Sequence, residues 1–206
     1  HGQTRMEMTS TSMKQEIELI LSSRELLNDE EILGLEEALR VIDAHEERLE
    51  FSEKLKNRER ERDKLLSDYS YFYREAWRQV DDNYLLFSWH QQLMCDYLQG
   101  LNEGKTIRDL IINLPPGCGK SINSSVIWPA WCWARNPSER IMACSYDEEL
   151  VKKQAVDSMK LITSEWYQAF FGDRVQINPR VDTMKFFEIK SPNGSGGGGW
   201  RFSTTP

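Results

Sequence analysis

The 206-residue chain lacks any apolar run approaching the roughly 18 to 20 residues that a bilayer-crossing helix needs, and no apolar leader opens it. A soluble, unsecreted protein with no membrane association is expected. It also lacks a Cys-x-x-Cys pair: Cys95, Cys118, Cys132 and Cys144 are scattered, two of them within apolar runs. That argues against a disulfide or zinc framework and for a reducing compartment. An excess of basic residues is missing too. With 26 Lys and Arg against 33 Asp and Glu the formal charge is −7, which excludes a uniformly basic nucleic-acid coat. Between residues 13 and 80 there is no proline and one glycine, Gly34. Long helices require this scarcity, since these two residues disfavour helix interiors most.

Acidity is concentrated in that first part. Residues 1–80 carry 13 basic and 19 acidic groups, and residues 81–206 carry 13 and 14. Residues 1–12 read as a polar tail or expression remnant without periodicity. Residues 13–80 read as an all-α arm, a helical hairpin or short coiled coil. Ile32, Leu35, Leu39, Ile42 and Leu49 recur at helical spacing, with Asn28 or Asp29 placed to cap the start. From Glu53 to Lys64 charges of both signs alternate, so each arginine has a nearby carboxylate and the stretch reads as a solvated face rather than a phosphate-binding patch. Leu65, Tyr69, Phe72, Tyr73, Ala76, Trp77 and Val80 then form an aromatic-rich stripe expected to pack as core.

Residues 81–206 read as an α/β domain. The short apolar runs 109–114 and 140–145, separated by a helical segment from about Lys120 to Ala134, predict a βαβ unit with parallel strands and helices on both faces. Pro129 predicts a kink in that helix, whose Trp128, Trp131 and Trp133 are expected in the core. Further helices are expected at 148–162 and 164–171, the latter burying Trp166, Tyr167 and Phe170. Strands at 185–190 and 200–203 are expected around the glycine-rich run ending at Gly199.

The segment Pro115-Pro116-Gly117-Cys118-Gly119-Lys120-Ser121 stands between the first expected strand and the helix. Successive backbone N–H groups at a helix start offer donors and a positive dipole end to a polyphosphate. Gly117 and Gly119 allow close backbone approach, Lys120 would reach the β- and γ-phosphates as the catalytic cation, and the Ser121 hydroxyl would join a Mg²⁺ shell. Pro116 to Ser121 are therefore the candidate nucleotide-binding residues, with ATP and Mg²⁺ as ligands. The first glycine of the full pattern is replaced by Leu114. Asp147, Glu148 and Glu149 follow an apolar strand, but they read as a helix start, where carboxylates meet a favourable dipole, rather than as metal ligands.

Taken in order, these elements resemble the ATPase domain of the large terminase subunit of tailed bacteriophages, over residues 84–206. The elements are Trp89-His90-Gln91 before a helix, a turn at Gly104, and R-D-L-I-I-N-L-P-P-G-C-G-K-S from Arg108. Trp128-Pro129-Ala130-Trp131 with Asn136-Pro137 follows, then I-M-A-C-S-Y from Ile141, Glu165-Trp166-Tyr167 with Phe170-Phe171, and the closing Gly-Gly-Trp-Arg-Phe-Ser-Thr-Thr. The resemblance implies a RecA-like P-loop NTPase core with a parallel sheet. It implies an ATP-driven motor that moves double-stranded DNA into a capsid in the host cytoplasm, as a homo-oligomer working with a portal protein and a small terminase subunit. In the complete protein it also implies a metal-dependent nuclease domain. On that basis residues 81–206 are expected to be an ATPase domain ending before its Walker B strand, so that this stretch alone lacks a catalytic acid. Where relatives often carry Arg-His this chain has Gly117-Cys118, so positive charge must come from elsewhere, with Arg201 and Arg135 as candidates. Trp89, His90 and Gln91 are adenine-side candidates or, alternatively, helix start and core. Two other functions fit the same loop: an AAA+ or helicase-type ATPase, and a nucleotide-binding assembly module without turnover.

Overall fold

The computed structural model describes residues 10–22, 27–105, 109–182, 185–190 and 198–206. The chain divides into two compact units, His1–Glu59 and Arg60–Pro206, with the division falling inside one long helix.

In the first unit α1 (Ser10–Ser22) is followed by α2 (Asp29–Ser67), whose N-terminal part belongs here. Asn28 and Glu31 form a reciprocal cap: Asn28 Oδ1 accepts from the Glu31 amide at 2.8 Å, and Glu31 accepts from the Asn28 amide at 3.0 Å. Lys14 on α1 pairs with Asp43 and Glu46 on α2, and the ammonium is held in its charged form chiefly by its hydrogen bond to Asp43. The stripe of Ile32, Leu35, Leu39 and Ile42 is only half-buried, and Leu49 is exposed. This hairpin therefore has little core of its own.

The second unit begins with the end of α2. Its mixed-charge face is exposed, and Arg62 reaches Asp173 with both contacts near 3 Å. At Asp68 the helix breaks. The residue adopts an extended backbone and its carboxylate accepts from the Tyr71 amide, starting α3 (Tyr69–Val80). The aromatic stripe then turns inward as expected: Leu65, Tyr69, Phe72, Tyr73 and Ala76 have no exposure. α4 (Trp89–Asn102) packs on α3. Beyond the loop, α5 (Lys120–Ile122), a π turn (Asn123–Ile127) and α6 (Trp128–Arg135) run on as one helical stretch. Three indole N–H groups from α6 fasten it: Trp128 donates to Leu98 O, Trp131 to Leu65 O and Trp133 to Glu139 O, all within 3.0 Å. Trp131 and Trp133 are fully buried, while Trp128 is half-buried.

β1 (Arg140–Cys144) leads to α7 (Glu148–Thr163), which Asp147 caps by accepting from the Glu149 and Leu150 amides. α8 (Glu165–Phe171) follows, with Tyr167 buried and Trp166 and Phe170 half-buried. β2 (Gln176–Asp182), β3 (Phe186–Lys190) and β4 (Gly199–Thr204) complete a four-stranded mixed sheet in the order β1-β4-β3-β2. β1 and β4 are parallel, and the other pairs antiparallel.

This architecture corrects the expected RecA-like core with a parallel sheet. The unit is mainly helical and its small sheet holds one parallel pair. Residues 109–114 enter no ladder among the described residues, so the predicted βαβ unit is absent and the parallel partner of β1 is β4. Leu110, Ile112 and Leu114 are half-buried while Asp109, Ile111 and Asn113 are exposed: the segment keeps the two-residue alternation of a strand without a strand's neighbours. Helices do not cover both faces either. α7 packs against β4 and β2, and Trp133 of α6 meets Phe187 of β3; Phe187, Ile189, Arg201 and Ser203 are buried, whereas Met142 and Phe202 remain exposed. The kink expected at Pro129 takes the form of the π turn ahead of it. β2, which contains Pro179, was not anticipated, and the glycine run of 191–197 lies outside the described residues.

Candidate functional site

The loop Pro115–Gly119 leaves the extended segment and turns into the helical stretch at Lys120. Its shape depends on two left-handed residues, Gly117 at φ +86° and Gly119 at φ +72°. Glycine takes such angles without the steric penalty other residues meet, and alternation of backbone hand is the pattern by which successive amides form an anion-binding concavity. Gly119 also lies against the core, at ordinary contact distance. A Cβ there would stand 3.4 Å from the Tyr73 hydroxyl, 3.7 Å from Gln91 Nε2 and 3.8 Å from the Trp77 ring. The loop thus rests directly on α3 and α4.

Lys120 folds back over the loop. Its ammonium donates to Leu114 O at 2.9 Å and to Pro115 O at 3.4 Å, so the cation is held at the loop mouth by main-chain carbonyls and, among the described residues, by no carboxylate. Ser121 is exposed in the first turn of the helix, and Cys118 is half-buried. Pro116 is exposed at the turn preceding Gly117.

The three adenine-side candidates separate. Gln91 is buried behind the loop, where its Oε1 accepts from the Ser88 amide at 2.9 Å and its amide nitrogen faces Gly119. Trp89 is 76% exposed, and it meets His90 edge-on at 5.9 Å. His90 Nδ1 lies 2.7 Å from Ser88 Oγ. Trp89 and His90 line a cleft of about 350 Å³ with Tyr97, Ile111 and Leu114, between α4 and the extended segment. A second cavity of about 510 Å³ is lined by Arg74, Trp77, Arg78, Tyr84 and Phe87. The Trp77 ring is common to that cavity and to the back of Gly119.

Of the two candidate arginines, Arg135 is engaged with Asn102 at 2.9 Å, pairs with Glu103 at 3.5 Å, and lies over the Trp131 ring. Hydrogen bonds from Lys105 and Gln99, with Arg135 nearby, hold the Glu103 carboxyl below its usual range. Arg201 is fully buried beneath the helical stretch. Asp147 and the first turn of α7 form a helix start, as expected: the Asp147 carboxylate is committed to capping, and Glu148 pairs with Lys152 and Lys185. No group of three or more His, Cys, Asp or Glu side chains is arranged to hold a metal among the described residues. A Mg²⁺ carried in by a triphosphate would find the Ser121 hydroxyl here, with phosphate oxygens and water, and no carboxylate cluster among the described residues.

Sequence reasoning treated Tyr73 and Trp77 as core alone and missed that they form the floor of the loop. Helical spacing identifies the buried face but not which buried ring meets the glycine. The Tyr73 hydroxyl has no hydrogen-bond partner among the described residues, and burial pushes its ionisation well upward. No described helix is long and apolar enough to cross a membrane. Neither protein-family models, nor curated proteins, nor solved structures match the chain.

Proposed function

We propose that the second unit binds a nucleoside triphosphate, ATP with Mg²⁺, through Pro116–Ser121, as the ATPase part of a DNA-packaging motor of the large-terminase kind. The observation that carries the binding step is the loop itself: two left-handed glycines flank Cys118, and Lys120 follows at the start of a continuous helical stretch. The amides of Gly117 to Lys120 take the phosphate oxygens, as donors at a helix start do. The Lys120 ammonium exchanges the carbonyls of Leu114 and Pro115 for β- and γ-phosphate oxygens, and Ser121 completes the Mg²⁺ shell. Motor function, double-stranded DNA as the track, and the portal and small-subunit partners rest on the motif order alone.

A second reading, nucleotide binding without turnover, is favoured by one observation: Asp147 is occupied as a helix cap and Glu148 by two lysines. Measuring binding and phosphate release separately decides between them. Mg²⁺·ATP is expected to bind, and Lys120→Ala to weaken it by about tenfold or more, which corresponds to about 1.4 kcal/mol. Bound nucleotide should slow alkylation of Cys118 while Cys144, exposed on β1, reacts unchanged. Equal affinity in wild type and Lys120→Ala, with Cys118 unprotected, contradicts the nucleotide reading.

A further inference from the structure

Arg201 is a costly residue where it stands. It is fully buried on β4, and no carboxylate pairs with it among the described residues. Its Nη2 has no hydrogen-bond partner among the described residues. Loss of hydration pulls its guanidinium down to about 10. A buried cation without a counter-charge destabilises the fold unless its donors do something no apolar residue could.

Two of those donors are occupied. Nε donates to Ser203 Oγ at 3.2 Å, and Nη1 donates to the main-chain carbonyl of Ser125 at 2.6 Å. The second acceptor is the informative one. In a regular α-helix the carbonyl of residue 125 receives the amide of residue 129, and residue 129 is proline, which has no N–H. The helix adjusts by widening: the Trp128 amide donates to Asn123 O, five residues back. An unpaired carbonyl buried at this point would be strongly unfavourable. Arg201 supplies the missing donor from the neighbouring strand.

We propose that Arg201 is a positioning residue for the phosphate loop: by replacing the amide that Pro129 removes, it fixes the π turn that directly follows α5, the short helix carrying Lys120 and Ser121. The turn sets the direction in which the first helical residues leave the loop. The strand and the phosphate-binding end of the helix are thereby joined through one guanidinium. The consequence for nucleotide affinity rests on the nucleotide reading above; the link between Arg201 and the helix does not.

The test uses the full chain and four variants: Arg201→Met, Pro129→Ala, the two combined, and Lys120→Ala. Amide hydrogen exchange over residues 120–130, without nucleotide, is the first readout. Arg201→Met should speed exchange there about tenfold relative to α7, and adding Pro129→Ala, which restores an amide to Ser125 O, should reverse most of that change, as coupled sites do. Mg²⁺·ATP affinity is the second readout and should fall and recover in parallel. A purely packing role for Arg201 predicts no rescue by a new backbone amide, so failure of the combined variant to recover overturns the proposal. So does wild-type exchange in Arg201→Met. If Arg201→Met does not fold, Arg201→Lys carries the same comparison, since its ammonium cannot bond Ser125 O and Ser203 Oγ as the guanidinium fork does. If Lys120→Ala binds nucleotide as well as the wild type, the nucleotide reading fails and the exchange experiment alone decides this one.

Discussion

Tyr73 illustrates how much one atom decides at the back of the loop. Its ring meets Trp77 at 5.8 Å and Phe87 at 6.1 Å, and its hydroxyl faces Gly119 with no hydrogen-bond partner among the described residues. A buried hydroxyl without a hydrogen bond is unfavourable, so Tyr73→Phe should raise unfolding free energy by about 1 kcal/mol. The variant should also change the alkaline limb of stability. Burial, with Cys95 as a smaller influence, raises the folded-state ionisation of Tyr73 well above its unfolded value near 10. Its contribution is therefore complete below about pH 10 and lost as pH rises beyond that, because only the unfolded chain readily gives up the proton. Denaturant titrations at pH 8 and pH 11 check both points: the wild type should lose more stability across that interval than Tyr73→Phe does.

Between elements, the junction of α2 and α3 shows a helix interrupted by a side chain instead of by glycine or proline. Asp68 adopts an extended backbone and caps α3 through the Tyr71 amide, rotating the aromatic stripe into the core. Asp68→Ala should lower stability by about 1 kcal/mol in thermal or denaturant unfolding, the usual loss for a helix cap. Asp68→Asn, which keeps an acceptor oxygen at the same place, should retain most of it. This junction was not legible in the sequence, although the stripe on either side of it was: Leu65 to Trp77 kept helical spacing across the break. The hairpin strands at 186–190 and 199–204 and the helix from Glu148 were legible for similar reasons, since each carries its own periodicity or cap. Residues 109–114 were misread because alternation specifies one-sided burial but not a pairing partner, and pairing is decided by distant segments. At the loop, the need for glycine at 117 and 119 and the helix start at Lys120 were readable from local spacing. The floor of Tyr73, Trp77 and Gln91, and the bond from Arg201 to Ser125, depend on contacts between residues far apart in sequence, and only the missing N–H of Pro129 hinted at the latter.

For the whole molecule, the two units differ in how much they hide from water. Every fully buried apolar side chain among the described residues lies at Leu65 or later, whereas Leu19, Leu33, Val41 and Phe51 in the first unit are each more than 60% exposed. Burial of apolar area is the main source of helix stability in proteins, so the helices of residues 10–59 should exchange their amides far faster than those of 60–206. Exchange followed by mass spectrometry reads this directly, and slow exchange throughout residues 29–59 would contradict it. Within the second unit the asymmetry runs along the chain on either side of Gly119. Downstream, three indoles bolt α6 to three separate segments. Upstream, the six residues before Pro115 have no ladder among the described residues to brace them. A rope tied to a post swings only on its free side: any change in the loop's shape should draw its slack from the chain ahead of it, with the anchored helix behind it keeping its place.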